Sequence, residues 1–360
     1  MIIIWGYGKL GIKYYDEYCA GKKVLFVDNN LNKQGEKDNV SVVSVMKLKE
    51  IYDEDLNIVI ASSRWKEIYN TCILNNWNDV IIYDGDATYS YIDKCIKDKC
   101  FFENRSHIIY ENNLEKRINS ACEAFKKNYY LLNNICRVSI MISNICNYAC
   151  VHKLCPAAKM HTKETMPLIN IKKIIDELIE NDFCGILAFH IYNEPLIDPR
   201  LFYLIDYVRK TETKMDILVY SNGFYLTQNI CDELVEMGVS VIKTTAYSME
   251  EYNRLVGINV SIPYSVLYGS LDSRLDIYDR ATPYIVPKKV CRSMISELCI
   301  YSNGDIGLCC LDYKHNHNLG NIKDASLKDL LDNDDTKRIL FELLDGKRSY
   351  EICKRCGWSR

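Results

Sequence analysis

Three cysteines stand close together in mid-chain, in the run Cys146-Asn-Tyr-Ala-Cys150-Val-His-Lys-Leu-Cys155. Thiolates are soft ligands that suit zinc or iron–sulfur clusters. Three of them on one loop fit a [4Fe–4S] cluster, which needs four ligands, and leave one iron open to a small chelating molecule. The same loop also permits a zinc site of the Cys₃His type, with His152 or His161 as fourth ligand. A second group lies toward the C-terminus: Cys291, Cys299, Cys309-Cys310 and Cys353-Lys-Arg-Cys356. Residues 300–309 read as a hairpin whose turn is Ser302-Asn303-Gly304-Asp305. A hairpin presenting Cys309 and a terminal Cys-x-x-Cys can converge with Cys291 into a four-thiolate site, for which spacing alone favours a zinc ribbon. The other cysteines, Cys95 and Cys100 among them, sit singly among apolar or helical neighbours and read as small buried hydrophobes.

A different chemistry is written at the N-terminus. Gly6-Tyr-Gly8-Lys-Leu-Gly11 closes one predicted strand and opens a helix, and Asp28 closes the next strand. Glycines there let the backbone approach a pyrophosphate, and the acid meets a ribose hydroxyl. Such a module binds NAD(H), grips a nucleotide-sugar, or uses its glycines only for close helix–strand packing; the sequence leaves all three open.

These residues need elements to place them. Apolar runs at 2–5, 24–28, 57–61 and 79–84 read as buried strands with helical segments between, a βαβ pattern that implies a small parallel sheet. Residues 91–135 are charged, aromatic and helix-like, and read as a connector. A second alternating series places strands at 138–143, 185–190, 214–220 and 239–245, and helices at 169–180, 199–210 and 227–236. Beyond 260 the pattern is irregular. The expected class is α/β: a Rossmann-like sheet over 1–90, the connector over 91–135, a partial (β/α) barrel over 136–290, and a loop-rich domain with a β-hairpin over 291–360. A length of 360 residues accommodates this, at roughly 150 residues per domain. A net charge of −3 with no block of like charge gives no reason to expect nucleic acid as a partner. No run approaches the ~18 apolar residues of a membrane span. Without a basic n-region or cleavage site, a cytoplasmic location is expected.

The strand followed by the Cys146, Cys150 and Cys155 loop resembles the radical S-adenosylmethionine (SAM) family, whose usual spacing is Cys-x3-Cys-x2-Cys. Here it is Cys-x3-Cys-x4-Cys, with Lys153 in the longer gap and Leu154 where an aromatic usually precedes the third cysteine. Tyr192-Asn-Glu194-Pro-Leu196 resembles the family's Gly-Gly-Glu-Pro segment, with Asn193 in place of a glycine. This implies that Glu194 meets the SAM amino group. Tyr220-Ser221-Asn222-Gly223 resembles the Thr-Asn-Gly near the SAM ribose, and Ser248 stands where a further strand end adds polar groups. Each falls at the C-terminal end of a predicted strand, the rim where barrel active sites lie. The C-terminal cysteines, with Gly304-x4-Cys309 and Asn318-Leu-Gly-Asn321, resemble the SPASM/twitch extension of the same family. That likeness implies one auxiliary [4Fe–4S] cluster on Cys291, Cys309, Cys353 and Cys356, with Cys310 able to replace Cys309 and Cys299 left to the hairpin core.

The resemblance implies two [4Fe–4S] clusters, SAM as cofactor, and a reductant such as flavodoxin or ferredoxin as partner. It implies an oxidoreductase acting on a small molecule: a sugar, cyclitol or nucleotide-linked substrate that is dehydrogenated or epimerised, with the auxiliary cluster as electron acceptor. Arg274, ahead of Cys291, is a candidate for binding the substrate oxygen. Two other functions are weighed beside this one, peptide modification by the same radical chemistry and a zinc-stabilised, non-enzymatic nucleotide-binding protein.

Overall fold

Runs rich in β-branched and aromatic residues form the strands here, because such side chains fit a pleated, buried surface. The structure is a computed structural model that describes residues 1–37, 40–52, 56–148, 163–269 and 290–356. The chain divides into two compact units, Met1–Ile109 and Tyr110–Arg360.

In the first unit the strands are β1 (Ile2–Trp5), β2 (Val24–Val27), β3 (Gly35–Lys37), β4 (Val40–Val43), β5 (Asn57–Ile60), β6 (Val80–Tyr83) and β7 (Thr88–Tyr89). They are ordered β3-β4-β2-β1-β5-β6-β7. The central five, β4-β2-β1-β5-β6, are parallel, and β3 and β7 are antiparallel edges. That is a doubly wound order, and its direction reverses between β1 and β5. Ile4, Phe26, Val59 and Tyr83 form the centre of its core. Three strands of this sheet have no counterpart in the sequence reading, β4 and the edges β3 and β7; Val-Ser-Val-Val of β4 does not stand out from its polar surroundings, and the edges have only three and two residues. Residues 91–109, which contain the helix Tyr91–Asp98 and the short strand β8 (Phe102–Glu103), fall within this first unit.

The second unit is built on β9 (Arg137–Ile140), β10 (Ile186–Ala188), β11 (Asp216–Ser221), β12 (Val241–Ala246) and β13 (Tyr264–Tyr268), which lie side by side and parallel in chain order. The helices Leu168–Glu180, Leu201–Arg209, Gln228–Glu236 and Met249–Val256 connect them, giving the partial barrel. Tyr110 and Leu114 of the long helix Arg105–Asn128 pack on Ile186, Ala188, Leu218 and Val241. The expected hairpin is present as β14 (Leu298–Ile300) and β15 (Asp305–Gly307), and β16 (Asn318–Asn321) adds a third antiparallel strand. It does not stand apart: β14 lies parallel beside β9, with Leu298 opposite Val138 and Ile300 opposite Ile140. One sheet thus carries both cysteine groups. Among the described residues no helix is long and apolar enough to cross a membrane.

Candidate functional site

The C-terminal ends of β9, β10 and β11 bring the mid-chain motifs together. Glu194 caps the short turn Pro195–Ile197, accepting from the Leu196 amide at 3.0 Å. Its carboxylate also takes the Ser221 hydroxyl at 2.9 Å and the Asn222 amide at 2.7 Å. The Glu194 amide donates to the Ile145 carbonyl at 3.0 Å, tying this turn to the residue before Cys146. Asn222 reaches onward: its Nδ2 donates to Asn147 Oδ1 at 2.7 Å and to Cys146 Sγ at 3.7 Å. Cys146, Glu194, Ser221 and Asn222, spread over 76 residues of sequence, therefore share one hydrogen-bonded rim. Burial pushes the Glu194 carboxyl up from its ordinary value, and the three donors pull the other way.

Ser248 stands apart from that network. Its hydroxyl accepts from the Glu251 amide at 3.1 Å and caps the helix Met249–Val256. Glu251 in turn accepts from Tyr148, whose ring lies 5.3 Å from Tyr247, so an aromatic wall borders the Cys146 segment. Cys150, Cys155 and Arg274, and with them His152 and His161, lie outside the described residues.

One polar group was missed in the sequence. His190, just past β10, stacks on Tyr220 of β11 with ring centroids 4.8 Å apart, and the Tyr220 hydroxyl meets Thr245 Oγ1 of β12 at 3.0 Å. No motif announces it. Its residues come from three strands, and each alone is an ordinary strand-end residue.

At the other end of the sheet, Cys291, Cys309, Cys353 and Cys356 border one cavity, together with Cys310 and Arg348. Among the described residues no three His, Cys, Asp or Glu side chains converge as tightly as a single metal ion requires; the cysteines surround a shared space. The hairpin that presents Cys309 depends on Gly304, at φ +95°, where a Cβ would come within 2.7 Å of the Asn321 side chain. Cys299 is fully buried against Met141 and Tyr301, the core position expected for it. Burial and the neighbouring Cys291 push Cys353 up to about 12, while Arg348 beside it acts in the opposite direction; burial also raises Cys309. Buried thiols of this kind lose their protons when metal binds, because the metal charge inverts the local balance. The donor set fits an iron–sulfur cluster. The two sites are also in contact: Tyr192, two residues before Glu194, donates its hydroxyl to the Cys310 carbonyl.

In the first unit, Gly6 adopts φ +120°, and a Cβ on it would lie 2.5 Å from the Ala61 carbonyl oxygen. A Cβ on Gly11 would strike the Gly6 carbonyl at 1.9 Å, so Gly11 permits close helix–strand packing. A Cβ on Gly8 would meet only Lys33 Nζ, at 3.9 Å, and the Asp28 carboxylate accepts from the Tyr7 amide at 3.1 Å. Cys95, read as isolated, donates its thiol to the Phe101 carbonyl at 3.9 Å, and the neighbouring Cys100 thiol raises its pKa.

Residues 140–265 match the Radical SAM superfamily, and residues 291–357 match SPASM, an iron–sulfur cluster-binding domain. Over these spans the chain belongs to the radical SAM superfamily and is an enzyme of that class with a SPASM extension. It is similar to an S-adenosyl-L-methionine-dependent 2-deoxy-scyllo-inosamine dehydrogenase of Niallia circulans, with 24% identity over 233 residues, 61% of this chain and 92% of the relative. Among solved structures, BtrN in an open conformation matches with a TM-score of 0.50 and 20% identity, covering 62% of this chain and 92% of that one. That likeness bears on fold. BtrN in complex with AdoMet and 2-DOIA matches at a TM-score of 0.49 and 21% identity, over 62% of this chain and 93% of that one.

Proposed function

We propose that this chain is a radical SAM oxidoreductase that oxidises a hydroxyl-bearing carbon of a sugar, cyclitol or nucleotide-linked substrate. The observation that carries this reading is the junction of two cysteine sites on one sheet, with Tyr192 hydrogen-bonded between the SAM-site turn and Cys310. Cys146, with Cys150 and Cys155, would hold one cluster; Cys291, Cys309, Cys353 and Cys356 would hold the other. When bound, the first cluster and SAM supply a 5′-deoxyadenosyl radical, and the second cluster supplies a one-electron acceptor.

Oxidising a secondary alcohol to a ketone removes a hydrogen atom from carbon, a proton from oxygen and one further electron. In this reading Glu194, held by Ser221 and Asn222, receives the SAM amino group. The aromatic wall of Tyr148 and Tyr247 keeps water from the reacting carbon. The His190–Tyr220–Thr245 group offers donors and acceptors to a substrate hydroxyl and a route for its proton. Similarity to a dehydrogenase of a cyclitol amine supports the substrate class.

The experiment is turnover of anaerobically reconstituted protein with SAM, reduced flavodoxin and a panel of hydroxylated substrates that includes 2-deoxy-scyllo-inosamine. The expected result is a ketone formed alongside 5′-deoxyadenosine, with deuterium from the carbinol carbon appearing in the 5′-deoxyadenosine. SAM cleavage with no hydroxylated substrate consumed would refute it. A small precursor peptide consumed in their place would move the chain to peptide modification.

A further inference from the structure

None of the residues assigned to that chemistry lies in the first unit, which contains a cavity of about 350 Å³. Small-molecule sites in proteins begin at roughly 300 Å³. The cavity opens at the carboxyl ends of three adjacent parallel strands: Trp5 and Gly6 follow from β1, Asp28 from β2, and Ser62 and Arg64 from β5. This is the point at which the strand order reverses direction, where open α/β sheets gather ligands.

The side chains there are arranged for one kind of molecule. Asp28 is held by the Tyr7 amide at 3.1 Å, the Asn30 amide at 2.9 Å and Lys33 Nζ at 3.1 Å. Its side chain keeps 14% of its surface exposed, so lone pairs remain accessible to a vicinal diol. Lys33, at 40% exposure, lines the cavity, as does Gly6, whose backbone carries no side chain to block an approach. Arg64 is a second cation in the lining, ion-paired with Glu67, and Ile68 and Val45 supply apolar surface. The cavity thus offers a diol acceptor, two cations and apolar surface.

We propose that this cavity binds a nucleoside diphosphate, with the ribose diol on Asp28, the phosphates beside Gly6, Lys33 and Arg64, and the base against Ile68 and Val45. The moiety is common to dinucleotides and nucleotide-sugars. The site stands independently of the alcohol-oxidation reading, since it uses none of the same residues.

The test is isothermal titration calorimetry on the full chain, cluster-loaded and kept anaerobic, with ADP, UDP, NAD⁺, UDP-glucose, adenosine and uridine. At least one diphosphate is expected to bind below about 100 μM, which corresponds to about 5.5 kcal/mol. The matching nucleoside without phosphate, Asp28→Ala and Lys33→Ala should each weaken it about tenfold, the loss of one charge-assisted hydrogen bond. A thermal melt of Lys33→Ala matching the wild type shows that this variant reads binding and not loss of the fold. Tighter binding of NAD⁺ than of ADP assigns a dinucleotide; tighter binding of UDP-glucose than of UDP assigns a nucleotide-sugar. Absence of binding by every diphosphate below millimolar, or binding that both variants leave unchanged, overturns the site.

Discussion

At the scale of single residues, Glu194 and Arg348 have the most to answer for. Glu194 is buried, and its carboxylate satisfies the Ser221 hydroxyl and the amides of Leu196 and Asn222. Glu194→Ala would leave those donors unpaired in the interior, at a cost of about 3 kcal/mol in equilibrium denaturation. Glu194→Gln keeps the shape and should cost less, about 1 kcal/mol, while weakening SAM in equilibrium dialysis by about tenfold. If Glu194→Gln binds SAM as the wild type does, the carboxylate does not grip the cofactor. Arg348 borders the cavity of the terminal cysteines. A cation there stabilises the more negative, reduced form of a cluster. Arg348→Met is therefore expected to move that cluster's midpoint to a more negative potential, by about 60 mV for a tenfold effect on a one-electron couple. An unchanged midpoint in an EPR-monitored titration would assign Arg348 a packing role instead.

Among the elements, the turns are the sensitive points. Asp84, between β6 and β7, illustrates how electrostatics holds one. Burial alone would raise its carboxyl, but Lys97 and the amides of Asp86 and Ala87 outweigh that and set it at about 2. A carboxyl depressed on folding stabilises the folded state above its unfolded value near 4, and that contribution disappears as pH falls toward 2. The cluster-free chain should therefore lose thermal stability between pH 4 and 2, and Asp84→Asn should show a shallower slope over the same interval. Equal slopes would mean that other carboxylates govern the acid limb. The β14–β15 turn is held by geometry instead. Gly304→Val meets both a positive φ and the Asn321 side chain, and is expected to cost about 2 kcal/mol or more and to reduce iron retained at the terminal site.

For the whole molecule, the sequence carried most of the strand pattern, because it is local, and it named the four terminal cysteines that border one cavity. Val-Leu-Phe-Val at β2 and Asp-Ile-Leu-Val-Tyr-Ser at β11 announce themselves by composition, Cys146 by the cysteines that follow it, and Glu194 and Asn222 only through the family resemblance of their segments. What stayed hidden was pairing. Nothing in Leu298–Ile300 states that it lies beside β9, since a short apolar strand's partner is chosen by the assembled sheet and not by its own residues. The Tyr192–Cys310 bond spans 118 residues for the same reason, and His190, Tyr220 and Thr245 converge only once their strands align. Strand β13 was obscured by irregular chain after it. The central claim is that two clusters occupy this sheet and that the one beside Glu194 engages SAM. The most direct measurement is iron and sulfide analysis with anaerobic EPR, with and without SAM, on the wild type and Cys146→Ala. About eight irons per chain should fall to about four in the variant, with the SAM-sensitive signal lost and the other retained. Zinc in place of iron at the mid-chain site, or a signal that SAM leaves unaltered in the wild type, would contradict it.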